Sequence, residues 1–189
     1  MNGLILAGGK SSRMGEDKAL LSINGKTLIT LSQQLLTTCG CTHVLVNHPK
    51  FSNSIKDIYS EKGPTAGIHA ALSHEKFDLS SAPLLVSAVD TPFIPQQALD
   101  ALIVYGLRYQ TSVYYQNLYL PTLIYDTSTA KQWLDEVLSD PNSRGPSLRE
   151  LFRAIRAEKL DNSSSEWINI NRPSDYARAK AQQSNKETK

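Results

Sequence analysis

The sequence predicts an α/β domain with a mostly parallel central sheet, and three observations lead to this fold class. Apolar strand patterns alternate with helical patterns between residues 2 and 107, as they do in βαβ units. Polar side chains come directly after the predicted strands. The chain has 189 residues, 40% of them hydrophobic, which suits one domain with a packed core. We therefore predict a single domain over residues 1–183 and a disordered tail over residues 184–189.

The first half of the chain supplies three strands and three helices of this prediction. Short apolar runs place the strands at residues 2–7, 43–47 and 84–89. Apolar residues at helical spacing place the helices between Leu28 and the stop at Gly40, after Gly63 and Pro64, and at residues 96–107. Ligands of parallel sheets bind beyond the carboxyl ends of the strands. The polar or small residues that follow the three strands are Gly8 and Gly9, Asn47, and Asp90.

The second half of the chain is less regular. Residues 112–116 and 119–125 are predicted to form a hairpin around Asn117. Two apolar stripes at helical spacing follow, one through Leu134 and one through Leu151. We predict a further strand at residues 167–170 and a last helix that Ser174 caps.

Charge and hydropathy exclude several classes of function. The formal net charge is +2, from 20 basic and 18 acidic residues, which is too even for bulk nucleic-acid binding. The longest apolar runs have only a few residues, whereas a membrane span needs about 20. The first residues lack the basic and apolar regions of a signal peptide, so we expect a cytoplasmic protein with no nucleic-acid or membrane partner.

The two cysteines allow either a metal site or a structural role. Cys39 and Cys41 lie one residue apart, and His43 and His48 follow them. A zinc site usually has two spaced pairs of ligands, and no second pair follows in this sequence. The cysteines also lie where a helix passes into a strand, a common place for small buried residues. The pattern favours structural cysteines over zinc ligands.

A loop rich in glycine and serine follows the first predicted strand. Its sequence from Leu6 to Leu20 is LAGGKSSRMGEDKAL. Glycines let backbone N–H groups approach a phosphate closely, and Arg13 and Lys18 supply positive charge. The segment has neither the Walker spacing nor the Gly-x-Gly-x-x-Gly dinucleotide pattern. It is therefore predicted to be a phosphate-binding loop of another kind.

A single acidic residue, Asp90, ends the third predicted strand in the run SAVDTPF. A carboxylate in such a place is costly to desolvate unless it meets a cation. Mg²⁺ is usually held by one or two carboxylates together with substrate phosphates. The alternative is that Asp90 caps the turn at Pro92. With the glycine-rich loop at a neighbouring strand end, the magnesium site is favoured.

The glycine-rich loop resembles the signature loop of nucleotidyltransferases that condense an NTP with a phosphorylated acceptor. Gly9 and the run Asp17, Lys18, Ala19 are similar to one branch, the MobA-like molybdenum cofactor guanylyltransferases. Three further segments match that branch in its order along the chain: residues 63–68, 89–93 and 168–173. The resemblance implies a Rossmann-like three-layer α/β nucleotidyltransferase domain.

The resemblance also implies a role for individual residues. The backbone of Leu6, Ala7, Gly8 and Gly9 would line the GTP site, which Asn47 and Asp57 would complete. Lys18, assisted by Arg13, would contact the phosphates, and Asp90 would bind Mg²⁺ and the nucleotide. The residues implied as catalytic are therefore Arg13, Lys18 and Asp90. Asn169 and Asn171 match the late Asn-x-Asn of the family, near the pterin, although they could instead only support the turn before Pro173.

The implied activity is the transfer of GMP from GTP to the molybdenum-pterin cofactor, with release of pyrophosphate. GTP and the pterin cofactor would be its substrates, and other cofactor-biosynthesis proteins and molybdoenzymes its possible partners. One alternative is a related transferase that uses CTP with the pterin, or an NTP with a sugar phosphate. Another is a carrier that binds the pterin cofactor without catalysis, but a carrier needs no magnesium carboxylate.

Two positions and the length of one spacer depart from the family pattern. Thr65 stands where leucine is usual in the turn that begins at Gly63, and the spacer from Asp57 to that turn is short. Pro121 is followed by Thr122 where the family has leucine. These departures concern the acceptor more than the nucleotide.

Overall fold

The computed structural model describes residues 1–8, 17–51, 54–77, 82–116, 118–161, 167 and 169–187. Its strands are β1 (Asn2–Leu6), β2 (Ser22–Ile23), β3 (Lys26–Thr27), β4 (His43–Asn47), β5 (Leu84–Ala88), β6 (Val113–Tyr115), β7 (Leu118–Ile124) and β8 (Glu158–Leu160). Its helices are α1 (Leu28–Thr38), α2 (Pro64–Leu72), α3 (Gln96–Tyr109), α4 (Thr127–Leu138), α5 (Leu148–Ala154) and α6 (Pro173–Glu187), with a short 3-10 helix at Lys18–Leu20. No helix among these residues combines the length and the apolar character needed to cross a membrane.

In this described part of the chain, one sheet has six strands in the order β4-β1-β5-β7-β6-β8, and β2 pairs with β3 separately. β1 is parallel to β4 and to β5, and β6 is parallel to β8. Within this sheet, β7 runs antiparallel to both of its neighbours. The predicted mostly parallel sheet and the predicted hairpin of β6 and β7 are confirmed.

Helices cover both faces of the sheet. Ile5 of β1 belongs to a buried apolar cluster with Leu28 of α1 and Leu102 of α3. The preceding residue, Leu4, belongs to a second cluster with Ile68 of α2. Because successive side chains of a strand point to opposite faces, the two clusters lie on opposite sides of the sheet. The predicted three-layer α/β architecture is therefore confirmed.

The predicted strand at residues 167–170 is wrong. Trp167, Asn169 and Ile170 lie in no strand, and Ile168 lies outside the described residues. The Ile170 N–H donates to the Asp90 carbonyl at 2.8 Å, which attaches this segment to the loop after β5. Sequence reasoning did not predict β2, β3 or β8. The residues of β8, Glu-Lys-Leu, pair with β6 at the edge of the six-stranded sheet. A short edge strand is half-solvated, so its sequence need not show an apolar pattern.

The last helix begins at Pro173, so the predicted cap at Ser174 is also wrong. Proline suits the first helical position because the N–H that it lacks would have no partner inside the helix. The carboxylate of Asp175 accepts the N–H groups of Asn171 at 3.0 Å and Arg172 at 2.8 Å. The backbone N–H groups just ahead of the helix thus find their acceptor in a side chain of its first turn.

The two cysteines fit the structural role. Cys41 is buried, and a Cβ atom placed on Gly3 would lie 3.1 Å from its Sγ. Burial raises the pKa of Cys41 to about 12. Burial, together with the charge of Asp100, raises the pKa of Cys39 to about 11. Raised pKa values keep both thiols protonated at neutral pH, as is usual for structural cysteines.

A buried histidine joins α2 to α4 through a half-exposed carboxylate. Nε2 of His69 lies 2.7 Å from Oδ1 of Asp135, and Lys131 Nζ donates to Oδ2 of Asp135 at 2.7 Å. Hydrogen bonds from Lys131 and then from His69 lower the pKa of Asp135. Because this pKa is lower in the folded state, the stabilisation is present above the unfolded-state value of about 3.9. It is lost as the pH falls through the folded-state pKa.

Asp135→Asn should lower the free energy of unfolding at neutral pH by about 0.2–1 kcal/mol, the range for exposed ion pairs. The difference from the wild type should shrink as the pH falls below the pKa of the carboxylate. Urea unfolding at neutral and acidic pH measures both values. Glu136→Gln, an exposed neighbour on α4, is the matched control. An equal loss at both pH values would contradict the ionic role of Asp135.

Candidate functional site

The carboxyl ends of β4, β1 and β5 lie side by side. Leu6, the last residue of β1, pairs with Asn47 on one side and with Ala88 on the other. The Ala7 N–H donates to the Asn47 carbonyl and the Val89 N–H donates to the Leu6 carbonyl, both at 3.0 Å. This register places the residues that follow the three strands at one edge of the sheet, as predicted.

A pocket of about 800 Å³ opens at this edge, beside the N-terminus of α2. It is lined by four of the predicted nucleotide-binding residues, Leu6, Gly8, Asn47 and Asp57. The other described residues that line it are Pro49, Lys56, Ser60, Glu61, Gly63 and Pro64. Pockets for small molecules usually have about 300–1,000 Å³, so this one is large enough for a nucleoside.

Asn47 connects the pocket to the end of β4. Its side chain is buried, and its Nδ2 donates to Oδ1 of Asp57 at 2.8 Å and to the Ile55 carbonyl at 3.4 Å. Asp57 itself is exposed at the rim. The amide of Asn47 therefore orients a carboxylate that can accept hydrogen bonds from the amino and imino groups of a base.

The N-terminus of α2 faces the same pocket. Gly63 has a φ of +76°, which favours glycine, and Pro64 begins the helix without requiring an N–H partner. Thr65, which departs from the family pattern, donates its hydroxyl to the Pro146 carbonyl at 2.7 Å. That contact ties the start of α2 to the segment ahead of α5. A helix N-terminus carries partial positive charge, which suits a phosphate.

A group of polar side chains lies at the neighbouring strand end, after β5. Lys18 Nζ donates to Oδ1 of Asn171 at 2.5 Å and lies 3.9 Å from Oδ2 of Asp90. Asn171 in turn donates from Nδ2 to Oδ1 of Asn169 at 2.6 Å. The side chains of Lys18 and Asp90 are 18% and 25% exposed, so their charges are partly shielded from water. We call these four residues the lysine–aspartate group; all of them were predicted as site residues.

Asp90, the predicted magnesium ligand, lies in a partly buried setting beside a cation. Burial raises the pKa of Asp90, and the ammonium of Lys18 lowers it in part. Thr91 donates its N–H and its hydroxyl to the Ala88 carbonyl, so the turn closes without the Asp90 carboxylate. One carboxylate fits Mg²⁺ when substrate phosphates and water supply the other ligands. Among the described residues, no group of three or more His, Cys, Asp and Glu side chains could hold a metal ion.

Asn169 and Asn171 meet although the strand predicted for them does not form. Their side chains are hydrogen-bonded to each other, while Ile170 between them is fully buried. The two carboxamides meet around a turn, in which the Asn171 N–H donates to the Asn169 carbonyl at 3.1 Å, and not by the alternation of a strand. Gly9 and Arg13, which were also predicted as site residues, lie outside the described residues.

Sequence reasoning missed the charged residues at the rim of the pocket. Lys56 and Glu61 are both exposed and both line it. They lie in the connection between β4 and α2. Connections at the carboxyl ends of parallel strands form ligand sites, so charge in the short stretch between Asn47 and Gly63 was the available signal.

Gly67 lets α2 approach Asn47 closely. A Cβ atom at Gly67 would lie 2.6 Å from Oδ1 of Asn47 and 2.7 Å from Cδ2 of Leu6. Gly67→Ala should displace Asn47 and lower the free energy of unfolding by about 1–3 kcal/mol. If the pocket is the GTP site that the resemblance implies, the variant should also bind GTP more weakly, because Asn47 orients Asp57. Chemical unfolding and calorimetric titration with GTP measure the two effects.

The matched control for this variant is Gly106→Ala in α3. A Cβ atom there would lie 2.4 Å from Cδ2 of Leu123, in the apolar core. Gly106→Ala should lose stability to a similar extent and keep its affinity for GTP. If Gly67→Ala also kept wild-type affinity, the position of Asn47 would not matter for the nucleotide.

Known proteins resemble this chain over most of its length. The model of the family described as the MobA-like NTP transferase domain matches residues 3–159. A molybdenum cofactor guanylyltransferase of Xanthomonas euvesicatoria is 29% identical over 181 residues, which cover 93% of this chain and 92% of that relative.

Solved structures share the fold. Molybdopterin-guanine dinucleotide biosynthesis protein A from Archaeoglobus fulgidus has a TM-score of 0.75 at 21% identity, covering 98% of this chain and 100% of its own. A Mycobacterium tuberculosis protein in complex with manganese has a TM-score of 0.63 at 14% identity, covering 94% of this chain and 95% of its own. At these identities the likeness concerns the fold.

Proposed function

Because the chain belongs to the family of MobA-like NTP transferase domains, we propose that it transfers GMP from GTP to the molybdenum-pterin cofactor and releases pyrophosphate. The observation that carries the proposal is the pocket beside the lysine–aspartate group, at adjacent strand ends. A nucleotidyl transfer needs a place for the nucleoside and fixed charges for the phosphates. The name of the Xanthomonas relative supports both GTP and this acceptor.

The nucleoside of GTP would occupy the pocket, with Asp57 facing the base. The phosphates would extend along the backbone of Leu6, Ala7 and Gly8 toward Lys18. We propose that Gly9 and Arg13 belong to the same phosphate-binding loop.

The transfer requires positioning and charge neutralisation. An oxygen of the acceptor's terminal phosphate attacks the α-phosphorus of GTP, the bond from that phosphorus to the bridging oxygen breaks, and pyrophosphate leaves. The attacking phosphate is already an anion at neutral pH, so the step needs no general base. Lys18, together with Arg13, would neutralise the charge that develops on the pyrophosphate.

Asp90 would hold a divalent cation, which we propose to be Mg²⁺. Such an ion, when bound, supplies positive charge to phosphate oxygens. The manganese complex of a protein with the same fold supports a divalent cation in this architecture. The contribution of the chain itself is a partly buried carboxylate, whose charge Lys18 balances from 3.9 Å away.

The acceptor would lie on the side of Asn169 and Asn171. Two carboxamides offer paired donors and acceptors, which suit a polar heterocycle or its phosphate. Other cofactor-biosynthesis proteins and molybdoenzymes would supply the acceptor or receive the product. We propose the cytoplasm as the compartment of the protein.

A panel of the four NTPs tests the proposal. Pyrophosphate release is measured with Mg²⁺ and purified molybdenum-pterin cofactor, and then without the cofactor. We expect pyrophosphate release with GTP and not with the other three NTPs, and only when the acceptor is present. A preference for CTP would favour the related cytidylyl transfer. If a sugar phosphate supports pyrophosphate release in place of the pterin, the acceptor is a sugar phosphate. Tight binding of the pterin without any release would indicate a carrier.

A further inference from the structure

A buried histidine at the end of β4 contacts the segment that carries Lys18. His48 is 3% exposed, and its Nε2 lies 3.0 Å from Oδ2 of Asp17. Its other ring nitrogen, Nδ1, accepts the N–H of Lys50 at 3.1 Å. A nitrogen that accepts carries no hydrogen, so the neutral ring has its hydrogen on Nε2 and donates it to Asp17. The ring also stacks on Phe51 at a centroid distance of 4.1 Å, which fixes its plane.

Asp17 uses its second oxygen on the backbone next to Lys18. Its Oδ1 accepts the N–H of Ala19 at 3.2 Å, and Asp17 is the N-cap of the 3-10 helix at Lys18–Leu20. One carboxylate thus joins the end of β4 to the element from which the Lys18 side chain extends. Asp17 lies near the C-terminal end of the glycine-rich loop, so the contact attaches that end of the loop to the residue that follows β4.

We infer that His48 is a positioning residue that holds the Lys18 ammonium in place through Asp17. This inference rests on the proposed function, because that function gives the ammonium its task on the phosphates. Lys18 has a flexible four-carbon stem, and its Nζ is useful only if its backbone is fixed near Asp90. Asn171 holds the tip of the side chain, and the His48–Asp17 contact holds its base.

Two substitutions at His48 separate positioning from packing. His48→Phe keeps an aromatic ring against Phe51 and removes the donor. His48→Gln keeps an N–H near the place of Nε2. We expect kcat/KM for GTP to fall about tenfold or more in His48→Phe and to recover to within about threefold of the wild type in His48→Gln. His43→Phe, an exposed histidine at the start of β4, is the matched control and should change kcat/KM less than twofold.

The Lys18→Ala background supplies the second test. If His48 acts through Lys18, His48→Phe should cost less than a further twofold in that background, because the side chain that it positions is gone. If His48→Phe lowers kcat/KM by the same factor in the Lys18→Ala background as in the wild type, the inference is overturned. It is also overturned if His48→Gln loses as much as His48→Phe. Should His48→Phe fail to fold, Asp17→Ala at the half-buried partner replaces it in the same comparison.

Hydrogen exchange makes the test independent of the reaction. Amide exchange of residues 17–21 should become at least tenfold faster in His48→Phe than in His48→Gln, while exchange in β4 stays the same. Unchanged exchange at residues 17–21 would overturn the positioning role even if GTP is the substrate. If the wild type has no activity with GTP but the two variants show the expected difference in exchange, the proposed function is overturned. The contact of His48 with Asp17 would then still hold the loop in place.

Discussion

Asp90→Asn should reduce GMP transfer at saturating GTP by about 100-fold or more while the protein remains folded. The amide keeps the shape of the side chain and loses the charge that would hold the divalent cation. Such an ion is worth several kcal/mol of charge stabilisation in the transition state, and about 2.7 kcal/mol corresponds to 100-fold in rate. Initial rates of pyrophosphate release at several Mg²⁺ concentrations measure the effect.

The same substitution should leave the melting temperature unchanged or raise it. Burial raises the pKa of Asp90, which means that the surroundings disfavour the charged carboxylate. A neutral amide avoids this cost, and Thr91 still closes the turn after β5. Loss of activity without loss of stability is the pattern expected when a carboxylate that is costly to bury is retained for function.

The matched control is Asp126→Asn, at the N-cap of α4. The Asp126 carboxylate accepts the Thr129 N–H at 2.9 Å, and asparagine caps helices equally well. This variant should keep both transfer and stability. If Asp90→Asn retained more than a third of wild-type transfer at limiting Mg²⁺, Asp90 would not be the metal-holding carboxylate.

The pocket side of the site could be predicted because its parts are local in sequence. β1, β4 and β5 are short, largely apolar runs that end in a small or polar residue or, for β1, are followed by small residues. Parallel pairing of such runs brings their ends together, so the pairing of Leu6 with Asn47 and Ala88 follows from the pattern. The start of α2 is also local, since Gly63 and Pro64 mark it directly.

The contacts within the lysine–aspartate group could not be predicted in this way. Lys18 and Asn171 are 153 residues apart, and their 2.5 Å contact depends on how the last segment returns to the sheet. Sequence reasoning predicted a strand there, but the segment is held by the contact of Ile170 with Asp90. The contact of His48 with Asp17 depends in the same way on packing between two loops, which no spacing rule describes.

Lys18→Ala should weaken GTP binding and lower the rate of transfer together. The ammonium lies among partly shielded groups, so its contact with a phosphate would be charge-assisted in the bound state as well as in the transition state. Such a contact contributes roughly 1.5–3 kcal/mol, which corresponds to a loss of about 10-fold to 150-fold in affinity. Calorimetric titration with GTP and initial rates of pyrophosphate release measure the two effects.

The control for this charge is Lys159→Ala, an exposed lysine on β8 at the far edge of the sheet. It changes the net charge by the same amount, so any general effect of charge on a polyanion appears in both variants. Lys18→Arg tests geometry, because a planar guanidinium cannot replace the compact ammonium between Asn171 and Asp90 without moving one of them. It should recover part of the GTP affinity and little of the rate. Wild-type GTP affinity in Lys18→Ala would refute the phosphate contact. The role of Lys18 would then be to hold Asn171 and Asp90 in place.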